Sequence, residues 1–142
     1  MKFSKALPKS NICGASVSAP GAVVVRVIHP EDAKDLNLPG RKSLEIVSAK
    51  TGSDAMTLRL VEIPVVKPGE SPRPLHRHSG FEECMYVLSG QGNSQSESGD
   101  CPVVAGDTIL VPPGELHVTR NTGDTPLVLL CFFPTADCSE QK

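Results

Sequence analysis

Several residue types are scarce in this chain of 142 residues, and each scarcity argues against a class of function. Tryptophan is absent, and one tyrosine and four phenylalanines leave little material for stacking nucleic-acid bases. Fourteen basic residues against sixteen acidic ones give a net charge of -2, which does not supply the basic surface that phosphate backbones require. Nucleic acids are therefore not expected as partners.

The cysteines and the hydrophobic segments argue against two further classes. The five cysteines form no CxxC pair, so neither a zinc ribbon nor a thioredoxin-like motif is predicted, and their odd number fits a reduced, cytoplasmic setting. The basic N-terminus has no apolar stretch of the length that a secretory signal needs. The longest apolar run, Leu127 to Phe133, is too short to span a bilayer, so we expect no membrane association.

Turn-forming residues, by contrast, are abundant. The chain has 12 glycines and 13 prolines, and between them lie short segments rich in β-branched and aliphatic residues. The predicted strands are residues 22–28, 43–49, 55–66, 75–78, 82–88, 101–104, 108–111, 116–121 and 127–133. A helix of at most two turns is predicted between Pro30 and Gly40, and residues 93–100 are predicted to be an exposed hairpin region.

This pattern predicts an all-β protein with few or no long helices, an antiparallel sandwich or barrel such as a jelly roll. The length fits one domain, to which we assign residues 21–142. Residues 1–20 are polar and without periodicity, so they are predicted to form an N-terminal arm, either flexible or exchanged between subunits. The last strand is apolar on both faces, and covering its outer face requires the N-terminal strand or a second subunit. We expect a homodimer.

Three histidines and one glutamate lie at spacings that favour convergence of their side chains. His76 and His78 are two residues apart, and because side chains alternate along a strand, both imidazoles are expected on one face. A short turn can direct Glu83, in the next predicted strand, back toward this pair, and His117 follows a Pro-Pro-Gly turn into another strand. Two or three imidazoles and one carboxylate form a donor set that suits divalent Fe, Mn, Ni, Co, Cu or Zn.

At these residues the chain resembles the cupin superfamily. The first motif of that family is Gly, a short gap, His-x-His, three or four residues, Glu, six residues and Gly. The second is Gly, five residues, Pro-x-Gly, two residues, His, three residues and Asn. The first is matched by Gly69, His76, His78, Glu83 and Gly90, and the second by Gly106, Pro112, Gly114, His117 and Asn121. One additional residue between Gly69 and His76 lengthens a loop at the pocket mouth and leaves the ligand positions intact.

The resemblance implies a double-stranded β-helix with a pocket inside the barrel, and it implies that His76, His78, Glu83 and His117 hold one transition-metal ion. A single histidine on an apolar strand is more often a packed residue than a ligand. Four ligand-type residues at two matched spacings reverse these odds. His29 belongs to neither motif and is assigned a structural or exposed role.

Other polar residues near the motifs are weaker candidates. Arg59 interrupts an apolar strand and is a candidate for binding a substrate carboxylate, although an arginine pointing outward is the commoner case. Family spacing selects Glu83 over Glu82, while Arg77 and Tyr86 are expected on the opposite faces of their strands. Glu115 is a weak candidate for a proton-transferring group, so the catalytic acid or base is not identified.

Three functional hypotheses remain open at this point. The first is a metal-dependent enzyme acting on a small oxygen-rich organic substrate, as a dioxygenase, isomerase, decarboxylase or lyase. The second is a non-catalytic module that binds a small molecule or sugar in the same barrel. The third, a purely structural barrel, is disfavoured because all four ligand positions are filled. The metal and the substrate are left open, since cupins with one ligand set differ in chemistry.

Overall fold

The computed structural model describes residues 25–138, and this part of the chain is built almost entirely from antiparallel strands. The strands are β1 (Lys34–Asp35), β2 (Lys42–Val47), β3 (Thr57–Ile63), β4 (Glu83–Ser89), β5 (Gln91–Ser96), β6 (Gly99–Val104), β7 (Thr108–Val111), β8 (His117–Asn121) and β9 (Leu127–Phe133). Two single-turn 3₁₀ helices span Pro30–Asp32 and Ala49–Thr51. Within residues 25–138, no helix has the length and apolar character needed to cross a membrane.

The strands form two sheets. One has the order β1-β2-β3-β9-β4-β7, and the other has the order β6-β5-β8. Strand β9 is central to the larger sheet, because it pairs along its whole length with β3 and also with β4. The prediction of an all-β jelly-roll fold is confirmed.

The core lies between the two sheets and follows the alternation of the strands. In β9 the residues Leu127, Leu129, Cys131 and Phe133 are buried, whereas Val128, Leu130 and Phe132 face outward and are more exposed. Burial of such aliphatic side chains is the main stabilising contribution, at about 25 cal/mol per Å² of apolar surface. The inward-facing side chains of the strands therefore determine the shape of the space between the sheets.

Most strand boundaries differ from the prediction by a few residues, but two regions differ more. The predicted strand at 75–78 is wrong: among the described residues its pairing is one isolated bridge between His76 and His117. Pro72 and Pro74 precede it, and a proline nitrogen has no hydrogen to donate to a ladder. The predicted strand 22–28 overlaps the described part only at 25–28, which contributes no strand to either sheet. The predicted arm, residues 1–20, lies outside the described residues.

Strand β5 was not predicted, because its sequence Gln-Gly-Asn-Ser-Gln-Ser has no apolar alternation. The strand forms because it is the middle strand of its sheet and pairs with both β6 and β8. Side-chain amides of Asn93 and Gln95 also donate hydrogen bonds to the carboxylate of Asp100 across the hairpin. The predicted hairpin region at 93–100 is thus part of a paired sheet, in which neighbouring strands supply the pairing that local propensity does not indicate.

Gly90 allows the chain to pass close to the start of β9. Its φ is +84°, and a Cβ atom there would lie 2.6 Å from the Pro126 carbonyl oxygen and 2.9 Å from the Leu127 Cα. Gly69 has a similar φ of +80°, but a Cβ atom there would meet nothing within 4 Å. Because backbone atoms cannot move aside like a side chain, we expect Gly90→Ala to lower the free energy of unfolding by about 2 kcal/mol more than Gly69→Ala.

Urea denaturation of the two alanine variants and the unaltered chain measures this difference. Both substitutions place a side chain at a positive φ, so the backbone strain is similar in the two variants. The difference between their unfolding free energies therefore measures the contact with Pro126 and Leu127. Equal losses in the two variants would show that the close approach contributes nothing.

Candidate metal centre

Four ligand-type side chains meet at the wall of a cavity of about 360 Å³ between the sheets. Each of His76, His78, Glu83 and His117 offers one ligand atom, and these atoms all lie within 4.8 Å of one another. The structure therefore brings together all four residues that the two motifs identify. Glu83 is the first residue of β4 and His117 the first of β8, so the centre joins the larger sheet to the smaller one.

Backbone hydrogen bonds hold the two histidine-bearing segments side by side. The amide of His76 donates to the carbonyl of His117 at 3.0 Å, and the amide of His117 donates to the carbonyl of His76 at 2.8 Å. The amide of Gly114 donates to the carbonyl of His78 at 2.7 Å, which ties the turn before β8 to the same segment. These bonds bring the His76 and His117 rings to 4.4 Å between centroids without the continuous strand that the sequence predicted.

The protonation of His117 follows from its two partners. Its Nδ1 lies 3.0 Å from the backbone carbonyl oxygen of Glu115, which can only accept a hydrogen bond, so Nδ1 carries the proton. In the neutral ring, Nε2 then presents a lone pair, and it lies 3.0 Å from Oε2 of Glu83. Two acceptors at this distance require a cation between them, either a proton or a metal ion. Burial lowers the pKa of His117, but the Glu83 carboxylate and the Glu115 carbonyl outweigh it and raise the pKa overall.

Glu83 is 6% exposed and is the negative charge of the centre. Burial alone raises the pKa of this carboxyl, but the His117 and His78 imidazoles outweigh burial and lower the pKa to about 2. The carboxylate is therefore ionised at neutral pH and available as a ligand. The pKa of His76 is also lowered, to about 4, by burial and by the neighbouring His117. For an imidazole a lowered pKa favours the neutral ring, so His76 is uncharged at neutral pH.

His78 is held by packing and not by hydrogen bonds. Its ring stacks on Phe81 with 5.2 Å between centroids, and the Phe133 ring meets it edge-on at 5.4 Å. Its Nε2 lies 3.3 Å from Oε2 of Glu83, yet neither ring nitrogen has a hydrogen-bond partner of good geometry among the described residues. A buried polar atom without a partner is costly, and a metal ion at this point would remove the cost. The donor set of three imidazoles and one carboxylate thus fits a divalent transition metal.

Arg59 lies on the cavity wall. From the sequence, an outward-pointing side chain was the commoner case. Its side chain is 19% exposed, and its Nη2 donates to Oε2 of Glu45 at 3.0 Å. The guanidinium also lies over the Phe133 ring, 5.4 Å from its centroid. Because Glu45 is buried and also accepts a hydrogen bond from Ser48, Arg59 belongs to a buried ion pair beside the cavity.

The remaining sequence candidates lie away from the cavity. Glu82, Arg77 and Tyr86 are exposed, which agrees with the expectation that they face away from the ligands. The carboxylate of Glu115 accepts hydrogen bonds from the amide and hydroxyl of Ser98 and does not line the cavity, so only its backbone carbonyl serves the centre.

Sequence reasoning missed two further arginines on the wall, Arg41 and Arg73. Neither lies in a strand, so neither has a periodicity from which its direction could be read. Proximity in sequence was the available signal for Arg73, which precedes His76 by three residues. For Arg41 there was no such signal, since it follows the Pro39-Gly40 turn far from both motifs.

Comparison with known proteins places these observations in a family. Residues 63–133 match the Cupin domain, and the chain belongs to the cupin family. It is 33% identical over 113 residues to an oxalate-binding protein of Thermotoga maritima, a match that spans 78% of this chain and 93% of that protein. It is also 38% identical over 66 residues to an uncharacterized protein of Methanocaldococcus jannaschii, covering 46% of this chain but only 53% of that protein.

A solved structure supports the same assignment. The crystal structure of a predicted oxalate decarboxylase from Thermotoga maritima superposes with a TM-score of 0.61 at 27% identity. The match covers 77% of this chain and 98% of that one. Strands β4 and β8, which begin with Glu83 and His117, therefore belong to a shared cupin barrel, and an isolated bridge to His117 holds His76 beside them.

Proposed function

We propose that this cupin binds one divalent transition metal through His76, His78, Glu83 and His117 and acts on a small oxygen-rich organic acid in the adjoining cavity. The observation that carries the proposal is the convergence of four ligand atoms within 4.8 Å on a cavity wall that also bears arginines. A bound ion would act as a Lewis acid toward a carboxylate, enolate or hydroxyl group of the substrate. Fe, Mn, Ni, Co, Cu and Zn all accept this ligand set.

The chain's own residues would provide orientation and partial exclusion of water. The cavity is lined both by polar groups, the histidines and arginines, and by apolar side chains, among them Leu129, Phe133 and Met85. Such an arrangement directs the charged end of a small acid toward the centre and leaves its carbon atoms against apolar groups. The oxalate-binding and oxalate-decarboxylase relatives support a short carboxylic acid as the substrate class and make decarboxylation the first reaction to test.

The test is a substrate panel with the metal-loaded protein. Protein loaded separately with Mn, Fe, Ni, Co, Cu and Zn is mixed with oxalate, keto acids, diketones, catechols and sugar acids, and carbon dioxide, dioxygen consumption and ultraviolet absorbance are followed. Turnover that requires metal and is lost in His76→Ala supports the enzyme. Failure of the purified protein to bind any of these ions would contradict the proposal as a whole.

A non-catalytic binding protein is the second candidate. It is favoured by the similarity to an oxalate-binding protein and by the kinds of side chain that line the cavity. Among the described residues that line it, the titratable side chains besides the four ligands are three arginines and two cysteines, so a dedicated carboxylic acid or imidazole for proton transfer is not among them. Tight binding of an acid in calorimetry, without turnover under any metal, would select this candidate over the enzyme.

We also propose that two copies associate through the outer face of the larger sheet. Leu110, Cys84, Phe132 and Leu58 lie in register across β7, β4, β9 and β3 and form an apolar row. Leu110 is 64% exposed, so a large apolar side chain of this row faces solvent in the single chain. A cytoplasmic location is proposed from the sequence alone, on the cysteine pattern.

The dimer is tested by Leu110→Glu. A carboxylate buried in an apolar interface loses its hydration, so we expect the native chain to sediment at twice its 15.0 kDa mass and the variant to sediment as a monomer. Val66→Glu provides a matched control, because Val66 is also exposed but lies after β3, outside the sheet. A native chain that is monomeric at micromolar concentration in sedimentation equilibrium would refute the proposal.

A further inference from the structure

The cavity wall contains two arginines, Arg41 and Arg73, that belong neither to the metal centre nor, within the described part of the chain, to an ion pair. Among residues 25–138, the ion pairs at the cavity join Glu45 to Arg59 and Glu83 to the histidines, while Arg41 and Arg73 have no carboxylate partner. The side chain of Arg41 donates to the carbonyl of Pro39, and that of Arg73 donates to the carbonyl of Thr119. With respect to the described residues, both guanidinium groups therefore have unused donors beside the cavity.

The turn that precedes β2 places the backbone next to Arg41 against the side chain of Arg73. A Cβ atom on Gly40 would lie 3.1 Å from both Cγ and Cδ of Arg73, so the aliphatic part of Arg73 packs against the backbone beside Arg41. The carbonyl of Arg73 accepts a hydrogen bond at 3.0 Å from Arg120, whose Nε also donates to Gln95. Arg73 is thus anchored at its backbone, its stem and one donor, and only part of its guanidinium remains for a ligand.

Placing these two charges together is unfavourable without an anion. Burial and the charges of Arg41 and Arg120 lower the pKa of Arg73 to about 10. The pKa of Arg41 is also lowered, by burial and by Arg59, although Glu83 and Cys131 oppose this. Each remains protonated at neutral pH, so two like charges stay partly withdrawn from water. An oxyanion between them would relieve the repulsion and accept charge-assisted hydrogen bonds from both forks.

We propose that Arg41 and Arg73 form an oxyanion subsite for a second acidic group of the substrate, a carboxylate or a phosphate, while the first acidic group binds at the metal centre. The second half of this statement rests on the proposed function; the subsite itself does not. Arg73 lies three positions before His76, so their Cα atoms are at most about 10 Å apart. The substrate predicted by this geometry is a short acid with a charge at each end.

The experiment compares acids that share a two-carbon spacer and a carboxylate and differ in whether the far end carries a second charge. Calorimetry with the Mn-loaded protein uses propionate, succinate and 3-phosphonopropionate, which carry one carboxylate, two carboxylates, and a carboxylate with a phosphonate. Malonate and glutarate extend the length series. We expect at least one acid with two anionic groups to bind tenfold or more tightly than propionate, since a charge-assisted hydrogen bond contributes about tenfold to a hundredfold in affinity. The better of succinate and phosphonopropionate identifies the second group.

Variants assign the effect to the subsite. Arg41→Gln and Arg73→Gln are each expected to lower the affinity for the doubly charged acid about tenfold. The affinity for propionate and the metal content should stay unchanged. Lys42→Gln is the matched control, because it removes the same charge one residue from Arg41 on an exposed side chain. A native protein that binds propionate as tightly as every doubly charged acid would overturn the inference. Equal weakening of singly and doubly charged acids by both arginine variants would overturn it as well.

Metal-free protein separates this inference from the proposed function. In the presence of a chelator, inorganic phosphate is expected to bind weakly to the native chain and at least about tenfold more weakly to Arg41→Gln. If the protein holds no metal but phosphate binding depends on Arg41, the proposed function fails and the subsite stands. If metal binds stoichiometrically and phosphate binding is the same in both proteins, the subsite fails and the metal centre stands.

Discussion

Purified protein is expected to contain close to one divalent transition-metal ion per chain, and His76→Ala and Glu83→Ala are expected to lose it. The four ligand atoms already lie within 4.8 Å of one another, so little rearrangement is needed to bind an ion. Removal of Glu83 also takes away the only negative charge among the ligands, which leaves three imidazoles to hold a dication. Changes in outer-shell partners of a metal cost 10–100-fold in affinity, and loss of a ligand is expected to cost at least about a hundredfold.

Plasma mass spectrometry of untagged protein measures this result. His29→Ala is the matched control, because it removes the one histidine that lies outside the cluster, directly before the first 3₁₀ helix. The ion found also selects the chemistry to screen, with dioxygen-dependent reactions for Fe and Lewis-acid reactions for Zn. Metal retained in both ligand variants, or lost equally in His29→Ala, would mean that the ion binds elsewhere.

The second large effect is expected in the acid stability of the metal-free protein. The pKa of Glu83 is about 2 in the folded chain and about 4.5 when the chain is unfolded, so the unfolded state binds the proton more tightly. Its contribution to stability is therefore complete above about pH 4.5 and is lost as the pH falls toward 2. A difference of this size corresponds to about 3 kcal/mol of unfolding free energy.

The two histidine shifts act in opposite directions at higher pH. The pKa of His76 is lowered to about 4, so its contribution is present above about pH 6.5 and is lost as the pH falls toward 4. The pKa of His117 is raised, so its contribution is present below about pH 6.5 and is lost as the pH rises through the folded-state value. Below pH 4.5 these terms change less than that of Glu83.

Urea unfolding of the chelated native chain and of Glu83→Gln, from pH 2.5 to pH 7, isolates the carboxylate. The glutamine is nearly isosteric and does not titrate, so the difference in unfolding free energy between the two proteins should shrink as the pH falls below 4.5. A difference that stays constant over this range would contradict the lowered pKa of Glu83.

The sequence was most informative where residue spacing alone determines proximity. Two motifs selected His76, His78, Glu83 and His117, and the structure places all four in one cluster. The geometric reason offered for the first pair was wrong, because residues 75–78 form no regular strand. The rings converge through paired backbone hydrogen bonds between His76 and His117, which lie 41 positions apart and are not visible in a local pattern.

What could not be predicted depends on neighbours that are distant in sequence. Strand β5 is polar and forms because two other strands pair with it. Arg59 faces inward because Glu45, across the β2–β3 pairing, supplies a buried counter-charge. Arg41 reaches the cavity from an irregular turn. For β5 and Arg59 the deciding interaction joins residues from separate elements, and for all three no periodicity of the chain indicates the outcome.

Strand β9 serves two surfaces at once. Leu129, Cys131 and Phe133 line the cavity, while the alternate residues Leu130 and Phe132 form the outer apolar face. Because side chains alternate strictly, inserting or deleting one residue in this strand would exchange the two sets and destroy the binding cavity and the outer surface together. Homologues can therefore diverge along β9 by substitution, which changes one surface at a time, whereas length variation is expected only in the loops.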